Sequence, residues 1–217
     1  MRTIRILPTA AAVAAFAVAT GCAFGQATPD DPGEGAANRW EFSLAGYVYV
    51  VPDAPDYLQP TLTADRDRLH LEARYNYEDV DTASAWVGYT FSGGDTLTFE
   101  VTPMLGGVFG NTTGIAPGFE LTLGCRGLEL YSEGEYVFDT SDSSGSFFYS
   151  WSELTFAAVD WLRFGVVAQR TRVYQTDLDI QRGLLVGISL EHLDLTFHAF
   201  NPGGEDQTLV FAARVSW

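Results

Sequence analysis

Residues 207–217 read QTLVFAARVSW. Leu209, Phe211, Ala213, Val215 and Trp217 are apolar, while Thr208, Arg214 and Ser216 between them are polar. Only Val210 and Ala212 blur the alternation. Successive side chains of a strand point to opposite faces, so this stretch reads as a strand with one greasy face and one wet face. The same period runs back through the chain. In Arg68–Tyr77, the cleanest case, Leu69, Leu71, Ala73, Tyr75 and Tyr77 oppose Arg68, His70, Glu72, Arg74 and Asn76.

Between Trp40 and Trp217 such segments number twelve. They are predicted at 40–50, 57–64, 68–77, 82–91, 96–105, 118–125, 128–138, 147–157, 161–174, 178–190, 193–200 and 207–217. The second is the weakest; if it and one other weak segment were loops, the count would be ten. No amphipathic helix is evident, and no later stretch has the unbroken apolar length of a membrane helix. A chain that spans lipid with strands must close them, because lipid cannot satisfy an open sheet edge. The expected fold is therefore all-β, an up-and-down antiparallel transmembrane barrel.

The connections support this. Short turns at 65–67, 92–95, 125–127, 158–160 and 191–192 alternate with longer links at 51–56, 78–81, 106–117, 139–146, 175–177 and 201–206. Outer-membrane barrels have short periplasmic turns, longer outer loops and an even strand count. Twelve strands put both termini on the periplasmic side. Pro60, Pro103 and Pro117 are expected near the outer rim, since proline cannot donate to a ladder. Aromatics are expected to gather in two girdles.

The N-terminus points to export. Arg2 and Arg5 precede an apolar run from Ala10 to Thr20, roughly 11 residues and too short to span a bilayer as a helix. Residues 1–27 read as a cleaved signal peptide and 28–39 as a flexible periplasmic linker, leaving 40–217 for the barrel. A competing reading lipidates Cys22, although the usual large aliphatic residue three positions earlier is missing. Without Cys22, Cys125 is a lone thiol and reads as a small buried hydrophobe. No disulfide framework, zinc spacing or cofactor motif is present.

All twelve basic residues are arginine, and 28 acids give a formal charge of −16. That balance argues against nucleic acid and favours divalent cations or cationic solutes as partners. If the apolar faces meet lipid, Glu72, Arg74, Trp86, Glu100, Glu120, Glu129, Tyr131, Glu133 and Glu135 line the lumen. Carboxylates in a wet pore favour cations; the same residues could instead plug a narrow barrel through Glu–Arg pairs. Arg170, Arg172 and Arg182 fall on the lipid side near the outer end, where guanidinium suits lipopolysaccharide phosphate. A bulge at Gln169 would turn Arg170 and Arg172 inward instead.

In signal, dyad repeat, turn–loop asymmetry and terminal aromatic strand, residues 40–217 resemble small bacterial outer-membrane β-barrels of the porin-like kind. The resemblance implies a bacterial outer-membrane location among lipid and lipopolysaccharide. It also implies that Phe211, Val215 and Trp217 signal to the barrel-assembly machinery. It leads to the expectation of a narrow channel for small or cationic solutes, with a non-conducting structural or surface-binding barrel as the alternative. An outer-membrane hydrolase is disfavoured, because none of His70, His192 and His198 combines the side and depth such enzymes use.

Overall fold

The computed structural model describes residues 39–52, 55–141, 145–171, 179–204 and 206–217. The expected signal peptide, Cys22, nearly all of the linker and Arg172 lie outside them. The described residues form one antiparallel sheet of thirteen hydrogen-bonded segments. In chain order these are β1 (Glu41–Val50), β2 (Tyr57–Arg66), β3 (Leu69–Tyr75), β4 (Thr82–Tyr89), β5 (Phe91–Gly93), β6 (Thr98–Gly110) and β7 (Gly114–Cys125). They continue with β8 (Leu128–Asp139), β9 (Phe147–Val159), β10 (Leu162–Thr171), β11 (Asp179–Leu190), β12 (Leu193–Phe200) and β13 (Thr208–Ser216).

β4 and β5 are two halves of one strand. Gly88 pairs Met104 and Phe91 pairs Val101 in the same register, so the gap falls where Tyr89 faces Pro103. Proline has no N–H to give there. On its other side the strand stays paired through Thr90 N–H to Arg68 C=O at 2.8 Å, and Thr90 and Thr102 hydroxyls meet at 2.9 Å across the gap. The fold is thus a closed barrel of twelve strands. β4 pairs β6 on one side, and β1 pairs β13 on the other. At that last seam Phe42 and Trp217 exchange both backbone bonds at 3.0 Å. Their rings stack at 6.0 Å, with Trp40 stacked on Phe42 at 6.2 Å.

The weak second segment is a full strand, paired on both sides, which removes the ten-strand alternative. The expected long link at 106–117 is corrected. β6 runs to Gly110 and β7 starts at Gly114, leaving a three-residue connection. Glycines and prolines in that stretch read as loop, yet Gly106, Gly107 and Ala116 sit in the ladder. The proline expectation changes with it. Pro103 lies midway along β6 and Pro117 is the fourth residue of β7, toward its loop end; both interrupt ladders, the β7–β8 pairing skipping Ala116 and Pro117. Cys125 is half-buried at the end of β7, not a core residue.

The outward face is apolar around the ring. Leu44, Leu62, Val87, Leu105, Ile115, Leu154, Phe164, Leu184 and Phe211 are all exposed there. Val215 and Trp217, the latter 63% exposed, share that face. The inward face holds the core. Its loop-side half is packed with Val108, Val137, Phe200 and Val210 at 0% exposure, together with Tyr149, Trp86 and Trp151. The molecule buries its large side chains inside the barrel and leaves apolar ones outside, the reverse of a soluble sandwich.

Candidate functional site

The lumen is a cup, open at the end where Trp40 and Trp217 each stack on Phe42. Its volume is about 820 Å³. Glu41, Asp67, Glu100 and Glu129 stand exposed at the rim, and Tyr49, Tyr149, Trp151 and His198 lie buried at its depth. Nine carboxylates line it against two arginines, Arg163 and Arg214. Arg163 is already committed to Asp194 at 2.5 Å and to Ser189 and Thr196 hydroxyls. Such a surface attracts cations and repels anions.

The floor is built from cross-lumen ties. Tyr77, on the link after β3, meets the Tyr149 ring of β9 at 4.9 Å. Its hydroxyl donates to Glu133 of β8. Trp151 of β9 packs edge-on against His198 at 5.1 Å and Phe200 at 5.4 Å, both from β12. His198 Nε2 bonds Glu153 Oε1 at 2.8 Å. These rings come from strands that are not neighbours, so they bridge the barrel rather than line one wall.

Beneath Trp86 lies a buried ion cluster. Arg74 donates to Glu72 and to Glu135, each at 2.8 Å, with Glu78 at 4.0 Å. Its guanidinium stacks over Tyr77 at 4.2 Å and Trp86 at 4.7 Å. Ser84 donates to Glu78 at 2.5 Å and receives the Trp86 indole N–H at 2.9 Å. Burial pushes the Glu78 carboxyl, on the link beyond β3, above the ordinary carboxylate range. One guanidinium amid three carboxylates leaves surplus negative charge, which burial makes costly without protons or cations.

The residues expected to line a pore divide by depth. Glu100, Glu120, Glu129, Tyr131 and Glu133 line the cup. Tyr131 ties two of them, donating to Glu133 at 2.8 Å and Glu120 at 3.3 Å. Glu72, Arg74, Trp86 and Glu135 are buried in the floor instead. Tyr77, grouped by parity with the apolar face of its strand, turns inward instead, because β3 ends at Tyr75 and Asn76 takes a left-handed φ of 56°; Glu78, Tyr149 and Trp151 were not singled out from the sequence. Parity with Glu153 along β9 would have exposed Tyr149 and Trp151; nothing in residues 76–81 signals that Tyr77 and Glu78 fold back inward. No bulge falls at Gln169: the register is continuous there on both sides of β10, and its one shift, against β9, lies between Leu162 and Arg163. Accordingly Arg170 faces outward over the Phe148 ring at 5.4 Å, and Arg182 is exposed beside it on β11. His192 stands exposed in a turn; both lumen histidines bond carboxylates.

No protein-family profile and no curated protein matches the chain. Among solved structures it is similar to the KdgM porin, with a TM-score of 0.59 and 9% identity over 81% of this chain and 99% of that one. It is likewise similar to the KdgM porin in complex with disordered oligogalacturonate, with a TM-score of 0.55, 8% identity and the same coverage. The chain is a small β-barrel with a KdgM-like porin fold.

Proposed function

We propose that the protein is an outer-membrane, porin-like barrel, a narrow channel for small cationic solutes that is held shut at mid-depth in the conformation described. The observation that carries this is the acidic cup ending on the bridged aromatic floor. Its apolar belt faces lipid and its cup opens to the periplasm. Half-buried Arg170 and exposed Arg182, near the loop end, contact phosphates of lipopolysaccharide. The ligand named for the solved porin complex does not suit this lumen, because oligogalacturonate carries a carboxylate on each sugar and would meet nine more.

Conductance of the purified protein in planar bilayers tests the reading. Wild-type barrels are expected to give small, infrequent, cation-preferring openings. Tyr149→Ala, which removes a ring from the floor, is expected to give larger and steadier ones that keep the preference. Silence from both proteins would sink the channel reading. It would favour the second one, a non-conducting barrel that binds solutes, for which the zero-exposure layer of Val108, Val137, Phe200 and Val210 speaks.

A further inference from the structure

Where the cup wall meets the floor, His70 and Glu120 of the wall and Glu72 of the floor bring one nitrogen and two carboxylate oxygens within 4.8 Å of one another. His70 and Glu72 are two residues apart on β3 and so share the inward face. Glu120 arrives from β7. On β4 between them Gly88, level with His70, has no side chain. A Cβ at Gly88 would sit 2.8 Å from Thr102 and 3.4 Å from His70, so the wall is thin where Glu120 reaches across.

The imidazole is already oriented. His70 Nδ1 bonds Asp65 Oδ1 at 2.7 Å, from the residue directly opposite on β2. Its Nε2 has no hydrogen-bond partner, although the side chain is only 7% exposed. Nε2 lies 3.6 Å from Glu72 Oε2, close to the edge of a tetrahedron built on bonds of about 2.1 Å. A carboxylate that fixes one ring nitrogen while the other faces further carboxylates is the second-shell pattern of metal-binding histidines.

We infer that His70, Glu72 and Glu120 form a binding site for a divalent transition-metal ion, zinc being the best fit, with Asp65 as the residue that positions His70. Three protein ligands leave a coordination position for water or solute facing the cup. Mixed imidazole and carboxylate donors favour zinc or a neighbouring first-row ion over calcium or magnesium. Arg74 does not forbid the charge, because it is spread over Glu72, Glu78 and Glu135. The inference needs the cup to be open at one end but does not need the floor to conduct.

Equilibrium dialysis of the full-length barrel in detergent against Zn²⁺, with bound metal measured by mass spectrometry, tests it. One ion per chain is expected. Glu120→Gln and His70→Gln are each expected to weaken binding by more than tenfold, and Asp65→Asn by roughly 10–100-fold. Glu191→Gln, in an exposed turn, should bind as wild type. Retained heat-modifiable gel migration checks that each variant is folded. Anomalous diffraction at the zinc edge from wild-type crystals, with a peak between these side chains, needs no variant at all. Unchanged binding in Glu120→Gln and His70→Gln, or zinc elsewhere or absent, would overturn the site. Zinc is read without any current, so failure here and failure of the channel reading are separate results.

Discussion

Trp86 rests on a wall stripped of side chains. A Cβ at Gly106 would come within 2.4 Å of the indole, and one at Gly118 within 3.1 Å. Glycine at those positions lets the ring lie flat, and Arg74 then stacks on its other face. Gly106→Ala is therefore expected to lift the indole, disturb the Arg74 cluster and cost about 1–3 kcal/mol, the usual range for overpacking a filled interior. Urea titration of the heat-modifiable gel form measures this; a wild-type midpoint would mean that the indole is not seated as described. Parity along β3 and β4 was enough to turn Arg74 and Trp86 inward. The contact of Trp86 with Gly106 was not readable, because it depends on the register of β4 against β6, which no single segment encodes. The proposed metal-ligand set escaped for a similar reason. Glu120 lies far from His70 in the chain, and only the closed sheet brings them together.

Within an element, the missing N–H of one proline divides a strand. Pro103 faces Tyr89, and the ladder between β4 and β6 opens there and resumes at Phe91. Pro103→Ala supplies the donor. The amide at 103 is expected to become protected in hydrogen exchange, joining β4 to β5. The net change in stability should be small, since the new bond, roughly 0.5–1.5 kcal/mol, is offset by a freer unfolded chain, about 0.4–1 kcal/mol. A rapidly exchanging amide at position 103 would show that the gap has another cause. Strand boundaries were legible in β8 and β12, whereas in β3 the clean alternation ran two residues past the strand's end at Tyr75. They failed at 106–117, where Gly106, Gly107, Gly110, Gly114 and Pro117 imitate a loop. Those residues extend two strands and end them in the turn at 111–113. Gly106 there provides room for Trp86 rather than a bend, a distinction that resides in the neighbour and not in the segment.

For the whole molecule, closure decides which face is which. Alternation alone leaves the two sides of a strand equivalent. Joining β1 to β13 and β4 to β6 puts His70, Glu72, Glu120, Glu133 and His198 inside, and Leu44, Val186 and Phe211 outside. Alternation together with the turn–loop asymmetry carried the barrel, but not the closed floor. Floor residues such as Tyr77 and Glu78 come from a link, and the cross-lumen contacts depend on barrel diameter. The proposed lipid belt has a consequence that depth can test. Val186 lies midway along β11, paired with Phe164 and Phe197, whereas Leu190 ends that strand at the terminal rim. Both are exposed on the outer face. Water would make the two positions nearly equivalent for a charged side chain; hydrocarbon would not. Val186→Arg is expected to destabilise the barrel in lipid vesicles by about 2–4 kcal/mol and Leu190→Arg by about 0–1 kcal/mol. Reversible denaturant folding into the same vesicles measures both. Equal, small costs would mean that the apolar belt is covered by something other than a bilayer, and the membrane assignment would fall with it.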